Sequence, residues 1–218
     1  MANGGSVFLF VVGLMLSAVG SADAQGIAAD FALTNGLSEP RGIAVDEASR
    51  VLYVADTLNS RVLRYDSLDT ISAPSQPTAV LGQPNFTFTL PNQSRSAPSQ
   101  GSLYYPWGVW VDSASTLWVA DTVNDRVVWW ADAHTLSNGS LATGYVGQPS
   151  WTNVTSGPDF LYAPRGVVSG ADGTLWVADI NRWCDASPLS HQNAYLTHKK
   201  GCSNILLRLF WEHCRMGP

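Results

Sequence analysis

Residues able to do chemistry are few and sit in separate places. The last 36 residues, Trp183 to Pro218, hold all three cysteines and three of the four histidines. Cys184, His191, His198, Cys202, His213 and Cys214 form a Cys/His cluster of the kind that binds zinc through thiolate and imidazole. Their spacing, C-x6-H-x6-H-x3-C, lacks a C-x2-C pair and fits no common structural zinc pattern. The competing reading is one disulfide plus one free thiol in an oxidising compartment. Asp46 and Asp112 end two equivalent apolar stretches, and carboxylates at one rim suit Ca²⁺. Turn capping by the same carboxylates is the favoured reading, so Ca²⁺ is the one cofactor carried forward and no other is implied. Glu39 and Glu47 are the only glutamates between residues 25 and 182, and His134 the only histidine there, read as a surface-loop residue. G-x-S-x-G, P-loop and H-E-x-x-H motifs are absent, so no residue is assigned a catalytic role. Four sequons, at Asn85, Asn92, Asn138 and Asn153, fall where loops are expected, as glycan acceptors require.

The N-terminal residues give a compartment. Val7–Val19 is a 13-residue apolar run followed by Ser21-Ala22-Asp23-Ala24, which fits a secretory signal with an A-x-A cleavage site. The expectation is a leader at 1–24 and a secreted, glycosylated product; a signal anchor is the alternative, since the leader has no Lys or Arg. No later apolar run reaches the ~20 residues of a membrane span. Residues 25–182 carry 14 acids against 8 arginines, a net charge of −6 that gives no basic footprint for nucleic acid. With 13% charged and 45% hydrophobic residues over the whole chain, disorder is excluded; 19 Gly, 12 Pro and 9 Trp favour turn-rich β structure.

The elements that would position these groups come from an internal repeat. PRGIAVDEASRVLYVADTLNSRVLRYD begins at Pro40, PWGVWVDSASTLWVADTVNDRVVWWAD at Pro106, and a shorter copy, PRGVVSGADGTLWVAD, at Pro164. All three copies keep the glycine at Gly42, Gly108 and Gly166, and the aspartate at Asp56, Asp121 and Asp179. The first two also share Asn59 with Asn124 and Arg61 with Arg126. A second block, Leu81-Gly-Gln-Pro-Asn-Phe-Thr, recurs 65 residues later as Val146-Gly-Gln-Pro-Ser-Trp-Thr. Each unit reads as four short strands bounded by turn residues. In the first unit these are 42–46, 51–56, 61–66 and 78–81; in the second, 108–112, 116–121, 126–130 and 143–146. The glycines permit close backbone approach near a crowded axis. The aspartates cap strand ends, the asparagines suit a left-handed turn position, and the arginines pair with the aspartates. The D-T-x-N-x-R string thus has a structural reading, since it recurs once per unit.

The string P-R-G-I-A-V-D … L-Y-V-A-D-T-L-N-S-R-V resembles the NHL repeat, and the L-G-Q-P block is similar to the linker of its long-period members. The resemblance covers roughly 37–182, with units near 37–83, 103–148 and 161–182. It implies an all-β fold, a β-propeller of four-stranded blades set radially. The third unit departs from the pattern: Gly170 stands where Asp46 and Asp112 stand, and D-T-x-N-x-R shrinks to Asp179-Ile180-Asn181-Arg182. NHL-like propellers include a lyase with a histidine-rich metal site and Ca²⁺-dependent lactonases; the histidines of the first are missing from 25–182.

Propellers have about four to eight blades. At 65 residues per unit, 25–182 hold about 2.5 blades, an incomplete ring. The expectation is a truncated chain, with closure by oligomerisation or an open arc as alternatives. Residues 183–218 break the pattern in mid-blade and are read as an atypical, non-native tail. The functional expectation is a binding module taking a protein or glycan ligand at a propeller face. Exposed Trp107 is one candidate anchor, although blade-to-blade packing is the commoner use of such a residue. The runner-up is a metal-dependent enzyme of lactonase or lyase type.

Overall fold

The computed structural model describes residues 36–71, 75–155, 160–170 and 172–180, and the backbone of 196–197 and 205–209. The leader and the Cys/His side chains lie outside the described residues.

Three four-stranded antiparallel sheets follow one another along the chain. The first runs β1 (Pro40–Asp46), β2 (Val51–Asp56), β3 (Arg61–Tyr65) and β4 (Ala79–Leu81) in spatial order. The second runs β5 (Pro106–Val111), β6 (Leu117–Asp121), β7 (Arg126–Trp130) and β8 (Gly144–Val146) in the same order. These eight strands match the sequence expectation to within two residues at either end. The fold is all-β, a β-propeller arc, and β1, β5 and β9 (Gly166–Ser169) are the inner strands that bring neighbouring blades together.

The third sheet differs. β10 (Leu175–Asp179) pairs with β9 on one side and β12 (Ile205–Leu209) on the other, and β11 (Leu196–Thr197) lies outside β12. Two short segments from beyond residue 182 form the outer half of this blade. Their order is inverted, because the outermost strand precedes the third strand in sequence. An unpaired β10 edge would leave backbone N–H and C=O groups unsatisfied, and the apolar run Ile205-Leu-Leu-Arg-Leu supplies the partner.

Strand periodicity explains why the repeat reads as nearly continuous apolar runs. In β2, Val51, Tyr53 and Ala55 join the cluster shared with the second blade, which includes Val109, Leu117, Val119 and Trp130. Leu52 and Val54 point the other way, packing with Leu63 and Val80. In β6 and β7, Trp118 and Val127 turn toward the third blade, against Leu161, Val167 and Val177. The central strands of the first two sheets are buried on both faces, so alternation brings no polar face there, whereas Val168 and Ala178 of the third sheet are exposed. Of the Trp129-Trp130 pair, Trp130 is buried in the core and donates Nε1–H to the Ser140 carbonyl. Trp129 packs on Trp118 with ring centroids 5.1 Å apart, over Gly144. Among the described residues no helix is long and apolar enough to cross a membrane.

Candidate functional site

The recurrent polar residues do structural work. Asp56 accepts Arg61 Nε–H at 2.7 Å and Asn59 Nδ2–H at 2.9 Å on one carboxylate oxygen, and the Ser38 amide on the other. Asp121 takes Arg126 at 2.8 Å, Asn124 at 2.8 Å and the Tyr104 amide in the same way. Each arginine also holds the segments on both sides of its blade: Arg61 donates to the Phe86 carbonyl after it and the Gly36 carbonyl before it, Arg126 to that of Trp151 after it and those of Ser99 and Ser102 before it. The glutamine of the L-G-Q-P block reads the same turn from the linker side. Gln83 Nε2 donates to the Asn59, Ser60 and Leu90 carbonyls, and Gln148 Nε2 to those of Asp125 and Thr155. The two sequence blocks travel together because each supplies the other's hydrogen-bond partners.

One sequence assignment needs correction. The left-handed position of the turn is occupied by Ser60 (φ 51°) and Asp125 (φ 52°), one residue after Asn59 and Asn124. The asparagines sit in a 3₁₀ turn and donate their side-chain N–H groups to the aspartates.

In the third blade, Asp179 Oδ1 accepts the Tyr162 amide, but Oδ2 is buried with no partner among the described residues. Burial pushes this carboxyl up to about 7, with Asp125 adding to the effect and backbone N–H bonds opposing it. The Leu58, Val123 and Ile180 amides donate to the carbonyls of Ser38, Tyr104 and Tyr162, so Ile180 is the structural counterpart of Leu58 and Val123. Two residues are missing from the third copy, and the one before Ile180 is therefore the threonine. Thr57 and Thr122 each donate a buried hydroxyl to the Pro carbonyl that opens the next inner strand, Pro106 and Pro164, at 2.7 Å. Among the described residues this clasp between blades has no counterpart after Asp179.

The two metal candidates are far along other tasks. Asp46 Oδ1 accepts the Ala48 and Ser49 amides. Asp112 Oδ1 accepts those of Ala114 and Thr116, and its Oδ2 takes Trp118 Nε1–H. Burial works to raise the Asp46 carboxyl, but hydrogen bonds from Ser115, Ser49 and Ala48 outweigh it and hold it below the ordinary value. No group of three His, Cys, Asp or Glu side chains converges among the described residues. His134 is half-buried in a 3₁₀ turn instead of projecting from an open loop.

Asn85, Asn138 and Asn153 are exposed, each with its amide nitrogen unengaged. The expectation of four loop-exposed sequons fails at Asn92, which is 6% exposed. Its Nδ2 donates to Asn124 Oδ1 at 2.9 Å, and its Oδ1 accepts from Asn124 and Ser102.

The exposed functional groups gather at the rim where the inner strands begin. The residue between the conserved-pattern Pro and Gly is Arg41, Trp107 and Arg165 in successive blades. Its neighbour glycines let the strands close up: a Cβ on Gly42 would lie 2.3 Å from the Trp107 carbonyl oxygen, and one on Gly108 would lie 2.5 Å from that of Arg165. The close approach stacks both guanidinium carbons 4.1 Å from the centroid of the Trp107 ring. Two such groups do not fit together on one face, so the indole carries one on each. Trp107 is consequently a platform for cations and not the open sugar-stacking face considered from sequence. Arg41 bonds Glu39 at 2.7 Å, whereas the Arg165 guanidinium has no carboxylate partner among the described residues. Leu58, Val123 and Ile180, 37–39% exposed, lie at the same end of the sheets. Just before each Pro, Glu39, Tyr105 and Ala163 all take positive φ (45°, 49° and 51°), a backbone kink that no residue type in the sequence announces. Elsewhere, a groove of about 410 Å³ is lined by residues including Arg95, Gln100, Asn138 and Leu141.

Residues 37–65 match the NHL repeat family. No curated protein matches the chain. Among solved structures, a luciferin-regenerating enzyme is similar at 17% identity (TM-score 0.46), with 82% of this chain and 46% of that one covered. Virginiamycin B lyase from Staphylococcus aureus shows 15% identity, covering 82% and 43% (TM-score 0.41). A nidogen/laminin complex shows 22% identity, covering 66% and 40% (TM-score 0.38). The chain spans less than half the length of these structures.

Proposed function

We propose that this chain, which carries an NHL repeat within a β-propeller arc, is a secreted binding module whose ligand docks at the rim where β1, β5 and β9 begin. The observation behind this reading is the stack of exposed Arg41 and Arg165 on half-buried Trp107, at the same end of the sheets as the aliphatic row Leu58, Val123 and Ile180. Cations and aliphatic side chains left half-open on a rigid sheet end are recognition groups. A metal-dependent enzyme needs converging ligands, and no three such side chains converge among the described residues, while Asp46 and Asp112 each hold turn amides through one carboxylate oxygen. Secretion rests on the Val7–Val19 run and the sites after it, and glycan attachment on the exposed Asn85, Asn138 and Asn153.

Two measurements test the proposal. Expression through a eukaryotic secretory pathway should give a mature N-terminus near Gln25 and glycans on Asn85, Asn138 and Asn153, with Asn92 bare; retention in the cell overturns the secreted reading. Peptide and glycan arrays probed with the full chain should give ligands whose binding is lost in a Leu58→Asp/Val123→Asp variant and kept in Ser113→Arg at the other end of the sheets. Binding unaffected by the rim substitutions overturns the docking site.

A further inference from the structure

We infer that the rim recognises an extended acidic peptide, with carboxylates at positions i and i+2 held by Arg165 and Arg41. This rests on the rim being the docking site proposed above, and it adds the chemistry of the ligand.

The argument starts from the stack. A guanidinium lying over an indole uses its flat face and keeps its N–H edge free for an oxyanion. Both faces of Trp107 are filled, so a ligand meets the two guanidinium edges and not the ring. With both carbons 4.1 Å from one centroid, they are at most about 8 Å apart. Like charges at that separation repel, and an anion bridging them removes the repulsion. Side chains on one side of an extended peptide repeat every ~7 Å, which matches this spacing.

The two arginines are unequal. Glu39 already bonds Arg41, so Arg165 is the primary site and Arg41 becomes available when a ligand carboxylate displaces Glu39. The remaining acids at this end do not compete among the described residues: Asp56 and Asp121 are buried and paired with Arg61 and Arg126, and Asp125 and Asp179 are buried and accept the Ala163 and Tyr162 amides. The buried arginines are likewise committed, so among the described residues Arg41 and Arg165 define the positive face of the rim. The row of Leu58, Val123 and Ile180 favours a peptide over an acidic sugar, because it offers aliphatic contact to intervening side chains.

The test is calorimetric titration of the full chain at low salt with four probes. These are a short Val/Gly peptide with Glu at i and i+2, its Gln analogue, an isomer with Glu at i and i+1, and an oligogalacturonate. The i,i+2 peptide should bind best, with affinity falling as salt rises. Arg165→Gln should weaken it about tenfold or more, and Arg165→Lys by less. Glu39→Gln should strengthen it about threefold by freeing Arg41, a gain that a folding defect cannot produce. Equal binding of the i+1 isomer or the Gln analogue, or an unchanged affinity in Arg165→Gln, overturns the inference. Tighter, Arg165-dependent binding of the oligogalacturonate also overturns the peptide assignment while leaving the rim as docking site. If none of the four probes binds, but array ligands remain sensitive to Leu58→Asp/Val123→Asp, the acidic-peptide inference fails and the binding-module reading stands. If neither responds, both fail.

Discussion

Arg126 shows how one side chain can carry more than its charge. It is fully buried, pairs with Asp121 and holds three linker carbonyls. Truncating one partner of a buried ion pair leaves the other uncompensated, which costs about 3–5 kcal/mol. Arg126→Ala should therefore lower unfolding free energy by that order in urea titration, and Arg126→Lys should recover little, since an ammonium lacks the fork that reaches several acceptors. An Arg126→Ala protein as stable as wild type would remove the clamp from the account. The motif carrying this clamp was legible in sequence, because an Asp, Asn and Arg recurring at fixed spacing needs a shared partner. The linker carbonyls were not legible, since backbone acceptors leave no mark in residue identity. Nor was the buried fate of Asn92: its sequon reads like the other three, and only packing against Asn124 distinguishes it.

At the scale of the strand and turn, glycine and aspartate set the outcome. Gly42→Ala should destabilise the first blade's contact with the second by about 1–3 kcal/mol, because the added methyl meets backbone that has no rotamer to yield. Urea titration checks this, and an unchanged midpoint in Gly42→Ala would show that the two strands can move apart at no cost. The turn after β10 should respond to pH. Asp179 has its folded pKa raised to about 7 from an ordinary 3.8, so the folded state holds the proton more tightly than the unfolded chain. Its stabilising contribution is complete below the unfolded pKa and is lost as pH rises toward about 7, on the order of 4 kcal/mol at most. Asp179→Asn should flatten this dependence in melts between about pH 4 and pH 8. An unchanged slope would show that the carboxyl titrates normally. In the first two blades the equivalent aspartate meets arginine and asparagine.

Across the whole molecule, stability should fall from the first two blades to the third. The first two are joined to their successors by a threonine clasp and hold their linkers by an arginine clamp; Asp179 has neither among the described residues. Local opening tracks the number of buried contacts and hydrogen bonds that must break. Amide hydrogen exchange should thus proceed faster in β9 and β10 than in β2, β3, β6 and β7. Uniform protection across the three sheets would mean that the arc unfolds as one unit. The inner strands transmit this order, because each sits within van der Waals distance of the next at Gly42 and Gly108.

The sequence alone determined the strands, their order in two blades and the propeller architecture, since strand patterning and a 65-residue repeat are properties of residue type and spacing. It also marked Pro-x-Gly and D-T-x-N-x-R as structural. Tertiary structure decided what no spacing could state. The outer half of the third blade comes from beyond residue 182, with β12 inside β11, because an exposed β10 edge accepts any strand that satisfies its backbone. Arg41, Trp107 and Arg165 vary in sequence and so read as unremarkable. They become one stack only when the glycines beside them bring three inner strands together.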